Sequence, residues 1–172
     1  MKDKDILKIF GPFAIKCKKA IKGRIIPQRS INGFWHQEGA SDCAKKQGCY
    51  VFAMQAAKGY KPWYVGKATK GFAQECFTSH KLHKYNESLA LSGKGTPVLF
   101  FIAAKGTRKK VRNKYIDQLE TFLIHEAYSE NNEIRQKSKI KTAPRWGIKG
   151  VIRGGKGKPT NVESAFATMM GL

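Results

Sequence analysis

Acidic residues are scarce in this sequence. Of its 172 residues, 12 are Asp or Glu against 33 Lys or Arg, which gives a formal net charge of +21. An imbalance of this size opposes compaction by self-repulsion, and it is easiest to explain if the natural partner is a polyanion. The 41% hydrophobic and 11% aromatic content excludes a disordered basic tail. We therefore expect a folded, strongly cationic chain with one core.

Long apolar runs and paired cysteines are also missing. The start, MKDKDILKIFGPFAIKCKK, mixes acids with lysines and offers neither a membrane-spanning run nor a signal-peptide cleavage site. The four cysteines lack C-x-x-C spacing, which favours reduced thiols over a disulfide framework. His36, Cys43 and Cys49 match no standard zinc spacing. We expect a cytoplasmic protein without a membrane partner.

The middle of the chain predicts a small antiparallel sheet. The segments CYVFAMQ and PWYVGKA are rich in β-branched and aromatic residues, and the spacer between them carries Gly59, as in a β-hairpin. The segment Thr96–Ala104 is apolar almost throughout, which is typical of a buried central strand. The fold class is therefore α+β, within the broader α/β class, with about three strands flanked by helices.

Helical patterns flank these strands. We predict a short helix or turn at Asp5–Phe10, an extended run at Phe13–Ile26, and helices at Phe72–Tyr85 and Lys110–Tyr128. Thr160 and Glu163 form a capping-box pattern before a final helix. The organisation that follows is an N-terminal extension packed on the core, a central domain, and a basic arm with a C-terminal helix; the three parts are 1–47, 48–132 and 133–172.

One carboxylate stands where a core residue belongs. On a helix, Ile116, Leu119, Leu123 and Ala127 fall within one narrow arc, and Glu120 lies inside it. An ionised carboxylate facing apolar groups is costly unless a cation, a metal or hydrogen bonds compensate it. Either Glu120 reaches solvent or a lysine at the helix edge, or it has a functional reason to be there.

The predicted hairpin and the helices after it carry several polar and charged side chains that could act together. Tyr50 and Tyr64 would pair roughly opposite one another on one face of the sheet. Gly66 would allow a phosphate to approach closely, and Lys67 would supply charge. His80 lies on the following helix, where a lone histidine is most often structural. Together with Glu120, however, these residues supply a base, an electrophile and a metal ligand, the parts needed to cleave a phosphodiester.

The motifs GCYVF and WYVGKA are followed by a helix with His80, an apolar strand and a helix with LETFLI. In these motifs and their order, the chain resembles the GIY-YIG nuclease domain over about 48–132. The resemblance implies metal-dependent hydrolysis of DNA. By it, Tyr50 would activate the attacking water, Tyr64 would support the phosphate or that water, Gly66 would be the motif glycine, His80 would match the family's His or Tyr, and Glu120 would bind Mg²⁺ or Mn²⁺.

One departure from the family pattern concerns the electrophile. The family has an arginine one helical turn before the position of His80, and this chain has Cys76 there. No arginine occurs between Tyr64 and Asn86. Such a group is worth several kcal/mol of barrier by stabilising charge on the phosphate. Lys67, Lys70 and Lys81 are the candidate substitutes, although a lysine lacks the bidentate fork of arginine.

Basic residues next to the proposed site are candidates for contacting the DNA backbone. They comprise Lys70, Lys81, Arg108, Lys109, Lys110 and Arg112. The segment GVIRGGKG only approaches a phosphate-binding loop, because the lysine is followed by Gly157 rather than Ser or Thr.

Three functions remain open at this point. The first is a metal-dependent endonuclease acting on double-stranded DNA. The second is a nucleic-acid-binding module that keeps the scaffold and has lost catalysis, as Cys76 suggests. The third is a structural or RNA-associated protein with a ribosome-like charge. Specificity, biological pathway and oligomeric state are outside what these residues predict.

Overall fold

The structure is a computed structural model, and it describes residues 6–57, 59–104, 111–134, 147–152 and 157–172. Its strands are β1 Ile6–Ala14, β2 Lys18–Lys19, β3 Arg24–Ile25, β4 Gly48–Ala56, β5 Gly59–Ala68, β6 Thr96–Ala104 and β7 Gly147–Ile148. Its helices are α1 Arg29–Phe34, α2 Ala40–Cys43, α3 Phe72–Glu75, α4 Ser79–Ser92, α5 Asn113–Glu130 and α6 Asn161–Met170. The mixed helix and strand class is confirmed.

A sheet of five strands, in the order β5-β4-β6-β1-β7, organises the described residues. The predicted hairpin is β4 and β5, and the predicted third strand is β6, which pairs with β4 on one side and β1 on the other. Because β6 lies at the centre, Val98–Ala104 is buried throughout. An apolar run that covers both faces of the sheet explains this central position.

The first strand corrects a sequence prediction. We expected a short helix or turn at Asp5–Phe10, but Ile6–Ala14 is a strand that pairs antiparallel with β6 and parallel with β7. The expected extended run at Phe13–Ile26 is the end of β1 followed by the small β2-β3 hairpin. The sheet therefore has five strands rather than about three. Pairing with a distant strand overrides the local pattern of the N-terminal segment.

Two cores lie on the two faces of the sheet. One contains Cys49, Val51 and Val65 and is covered by apolar residues of α5 and α6. The other contains Tyr50 and Tyr64 and is covered by α1 to α4. Alternate residues of β4 and β5 serve opposite cores, as the pleat of a strand requires. The four predicted apolar positions of α5, residues 116, 119, 123 and 127, are all buried.

The C-terminal helix begins as its sequence predicts. The Thr160 hydroxyl accepts a hydrogen bond from the Glu163 backbone N–H, and the Glu163 carboxylate accepts one from the Thr160 N–H at 2.7 Å. Most of the predicted basic arm, residues 135–146 and 153–156, lies outside the described residues. In the described ranges no helix is both long enough and apolar enough to cross a bilayer.

Candidate active site at the β5 edge

Two tyrosines lie side by side over a glycine of the edge strand. Tyr50 pairs with Gly66 and Phe52 pairs with Tyr64. The two tyrosine rings are 6.4 Å apart with their planes inclined by 29°. A Cβ atom at position 66 would lie only 2.4 Å from Tyr50 Cζ and Oη. Only a glycine leaves room for this ring. The two phenols share one face, as predicted, but they are diagonal neighbours and not directly opposite each other.

The Tyr50 hydroxyl is isolated from water. Tyr50 is fully buried, and within the described part of the chain its hydroxyl has no well-formed hydrogen bond. The neighbouring Tyr85 hydroxyl donates instead to the Cys76 carbonyl oxygen at 2.7 Å. Burial, followed by the charges of Tyr64 and Cys76, raises the pKa of Tyr50 far above its ordinary value. Tyr50 therefore remains a neutral phenol in this arrangement.

Lys81 brings a cation to both rings. Its ammonium donates a hydrogen bond of 2.6 Å to the Tyr64 hydroxyl. The same nitrogen lies 5.0 Å from the centre of the Tyr64 ring and 5.9 Å from that of Tyr50. Lys81 occupies the first turn of α4, and its backbone N–H donates to the side chain of the N-cap residue Thr78. Of the predicted substitutes for the family arginine, Lys81 is the one in contact with the tyrosines.

The helix that carries His80 differs from the prediction. We expected one helix over Phe72–Tyr85, but the chain breaks into α3 and α4, with Thr78 capping the second. Cys76 is fully buried, and burial raises the pKa of its thiol well above the ordinary value. His80 is exposed. It lines, together with Tyr64, Trp63 and Leu91, a cavity of about 540 Å³. The break separates Cys76 from His80, so these residues do not share one helical face.

Lys67 resolves the question raised by Glu120. The Lys67 ammonium lies 3.2 Å from Glu120 Oε2 and 2.8 Å from Asp117 Oδ1. The Glu120 side chain is 21% exposed. The carboxylate inside the apolar arc is thus compensated by a lysine of the neighbouring strand β5. These two acids raise the pKa of Lys67 above its ordinary value, the hydrogen bond to Asp117 being the largest cause.

Glu120 and the two tyrosines lie on opposite faces of the sheet, next to the edge strand β5. Glu120 belongs to α5, which covers the face opposite to Tyr50 and Tyr64. Because β5 is the edge strand, the two faces meet there. The charge of Glu120 contributes to raising the pKa of Tyr50 and that of the buried Cys49 thiol, although burial is the main cause for both. Glu120 and the two tyrosines therefore lie on either side of the same part of β5, at Gly66 and Lys67.

Two carboxylates define where a divalent cation would fit. Asp117 and Glu120 are three residues apart on α5 and both contact Lys67. Sequence reasoning missed Asp117, although its i, i+3 spacing from Glu120 was the available signal. In the described ranges no three His, Cys, Asp or Glu side chains cluster around a common point. Mg²⁺ commonly binds through only one or two carboxylates plus water and substrate phosphate, and this pair fits that pattern.

The predicted phosphate-contacting residues other than Lys81 divide into two groups. Arg108, Lys109 and Lys110 lie outside the described residues. Lys70 is exposed just after β5, and Arg112 precedes α5 with its guanidinium 5.7 Å from the Tyr115 ring. The side chain of Gln47 links these two places. It donates to the carbonyl oxygen of residue 69 and accepts from the backbone N–H of residue 111.

Comparisons with known protein families, with characterised proteins and with solved structures gave no match to this chain. The resemblance to the GIY-YIG domain rests on the motifs and their order alone.

Proposed function

We propose that the chain is a metal-dependent endonuclease on a GIY-YIG-like scaffold, which binds double-stranded DNA at the β5 edge and hydrolyses a phosphodiester there. One observation supports this most: two stacked phenols, a lysine on both of them, and an ion-paired carboxylate border the same strip of β5 around Gly66. Structural packing alone does not require cations and acids to collect beside a buried pair of tyrosines.

The described side chains suggest a division of labour. The Tyr64 hydroxyl accepts a hydrogen bond from Lys81, so its own proton is free to be donated to a phosphate oxygen. The Lys81 ammonium stabilises negative charge that develops on the phosphate. His80, exposed in the same cavity as Tyr64, accepts the proton of the attacking water as the oxygen of that water bonds to phosphorus. The P–O bond to the leaving sugar breaks, and the leaving oxygen takes a proton from solvent. The resemblance would have Tyr50 activate the attacking water, but the Tyr50 hydroxyl is buried. In this proposal Tyr50 positions Tyr64 through ring stacking instead.

Asp117 and Glu120 are the residues that would hold a divalent cation. When bound, Mg²⁺ or Mn²⁺ supplies a Lewis acid that polarises the phosphate. Lys67 occupies the same two carboxylates at 2.8 and 3.2 Å, so it is the group that cation binding must displace. The +21 charge of the chain favours the approach of a polyanionic substrate.

Plasmid nicking tests the assignment. Supercoiled plasmid is incubated with wild type, Glu120→Gln and Glu126→Gln, each with Mg²⁺, with Mn²⁺ and with a chelator. Glu126 lies on the same helix and is 23% exposed, which makes it a matched control. We expect metal-dependent nicking by wild type and Glu126→Gln and none by Glu120→Gln. Nicking by Glu120→Gln at the wild-type rate would overturn the proposed site.

A second candidate is a nucleic-acid-binding module without cleavage. It is favoured by the buried Cys76 at the position of the family arginine and by the lysine already paired with Glu120. Tight, salt-dependent DNA binding by wild type without nicking in either metal would support it. Competition with RNA separates both candidates from an RNA-associated role, because that role predicts preference for RNA.

A further inference from the structure

A small cationic hairpin stands apart from the candidate active site. Its strands β2 and β3 pair Lys18 with Ile25 and Lys19 with Arg24. The Ala20 N–H donates to the carbonyl oxygen of residue 23 at 3.0 Å, which closes the turn. We call residues 18–25 the lysine hairpin. A two-stranded sheet of this length has no core of its own.

The base of the lysine hairpin is fixed to the body of the protein. Ile15 and Ile26, just outside it, are buried. The Ile26 N–H donates to the Asn86 side-chain oxygen of α4 at 2.8 Å, and Arg24 donates to the carbonyl oxygen of Gly95. These contacts hold the two strands at a defined place beside α4. The hairpin is thus presented on a rigid support.

The tip carries charge and an unsupported apolar side chain. Ile21 has the exposure of a free residue, 104%, and is the most exposed large hydrophobic residue of the described part. Lys18, Lys19 and Lys22 are exposed, and none of them makes an ion pair within the described ranges. No acidic residue occurs from residue 6 to 37. Lysines without an acidic partner in that part of the chain, placed around an apolar side chain, are complementary to a polyanion that also offers apolar groups between its charges.

We propose that the lysine hairpin enters the major groove of duplex DNA, with its lysines on the flanking phosphates and Ile21 against the base edges. The major groove, about 12 Å wide, admits a two-stranded ribbon, whose strands are about 4.8 Å apart. The base edges in the major groove include the thymine methyl group, which offers an apolar contact for Ile21. The narrow major groove of an RNA duplex excludes the same ribbon.

The inference deepens the proposed function, and rests on it for the choice of DNA as the partner. Asn86, which holds the hairpin, is six residues along α4 from His80, or about 9 Å at the helical rise per residue. The hairpin therefore contacts the duplex beside the cleavage site and not within it. It anchors the substrate while the β5 edge acts on one strand.

Salt-dependent binding tests this contact. Affinity for a labelled DNA duplex is measured by anisotropy against NaCl concentration for wild type, Lys18→Ala/Lys22→Ala, Ile21→Ser, and the control Lys149→Ala/Lys158→Ala. The control lysines lie next to β7 and α6, and α6 covers the opposite face of the sheet. Each phosphate contact contributes about 0.9 to the slope of log affinity against log salt. We expect the hairpin double variant to lose about 1.8 from this slope and the control to lose nothing.

Ile21→Ser should weaken binding to the DNA duplex and leave its salt slope unchanged. With an RNA duplex, the hairpin and control variants should behave alike. An unchanged salt slope for Lys18→Ala/Lys22→Ala on the DNA duplex would overturn the inference. A loss of affinity by this variant for anionic lipid vesicles, without a loss on DNA, would also overturn it. If the slope loss appears but no variant or wild type nicks plasmid, the hydrolase proposal fails and the hairpin contact stands. If wild type nicks and the slope does not change, the hairpin contact fails alone.

Discussion

Gly66→Ala tests the architecture of the candidate site with one methyl group. The added Cβ would lie 2.4 Å from Tyr50 Cζ and Oη and 2.8 Å from its Cε2, whereas carbon atoms in good contact stay about 3.5–4 Å apart. The Tyr50 ring has little room to move, because it is fully buried between Tyr64 and Phe72, at 6.4 and 6.3 Å. The clash must therefore be relieved by moving the ring or the strand.

The expected cost follows from two opposing terms. Overpacking a core by a methyl group costs about 1–3 kcal/mol. Replacing a strand glycine by alanine returns about 0.5–1 kcal/mol, because the unfolded chain loses freedom. Because the clash is severe, we take about 2–3 kcal/mol for the overpacking and expect Gly66→Ala to lower the free energy of unfolding by about 1–2.5 kcal/mol. In a chain of this length that corresponds to a fall in Tm of roughly 2–10 °C.

Urea unfolding of a double-mutant cycle measures the effect. Tyr50→Leu removes the ring, so Gly66→Ala should cost much less in that background. Gly33→Ala is the control, because a Cβ at this helical position meets nothing within 4 Å and should be neutral or stabilising. If Gly66→Ala cost the same with and without the Tyr50 ring, the close approach of ring and glycine would not be what fixes this position.

Three further predictions concern other parts of the chain. Lys67→Met should tighten Mn²⁺ binding by roughly fivefold in calorimetry, because it removes a competing cation from Glu120; unchanged affinity would argue against a metal there. Thr160→Ala should lower the free energy of unfolding by about 0.5–2 kcal/mol, measured by urea unfolding. Burial raises the pKa of Cys43 from 9.0 to about 12, so its stabilisation is complete below pH 9 and is lost as pH rises towards 12. Cys43→Ala should remove about 1.4 kcal/mol per pH unit from the alkaline decline of the unfolding free energy, and an unaltered decline would contradict the assignment.

The hairpin of β4 and β5 was predictable because its sequence signals are local, but the register of its pairing was not. Pairing of Tyr50 directly with Tyr64 would require a turn centred at Ala57, whereas the pairing of Ala56 with Gly59 centres the turn half a residue later. A bulge between Phe52 and Ala53, opposite Pro62 and Tyr64, adds one more residue. The two effects shift the pairing by two residues in total. A shift of two preserves the face on which a side chain lies, whereas a shift of one would have moved it. Tyr50 and Tyr64 therefore stay neighbours despite the error.

The features that sequence reasoning missed depend on distant contacts or on a short cap. The segment from Ile6, predicted as part of a helix or turn that ended at Phe10, is extended because it pairs with the distant strands β6 and β7. The break between α3 and α4 has a local signal, the N-cap Thr78. The partner of Glu120 could not be chosen among many lysines until the register of β5 placed Lys67 next to α5.

The position of β1 between β6 and β7 has a consequence for biosynthesis. Its partners along the sheet are about ninety residues later for β6 and later still for β7. While the chain leaves the ribosome, this apolar segment must wait without a partner until β6 has been translated, which favours slow assembly and temporary aggregation risk. The nascent chain is therefore expected to add β1 to the sheet only after β6 has left the ribosome, and an early arrest of translation would release a chain that cannot complete the sheet.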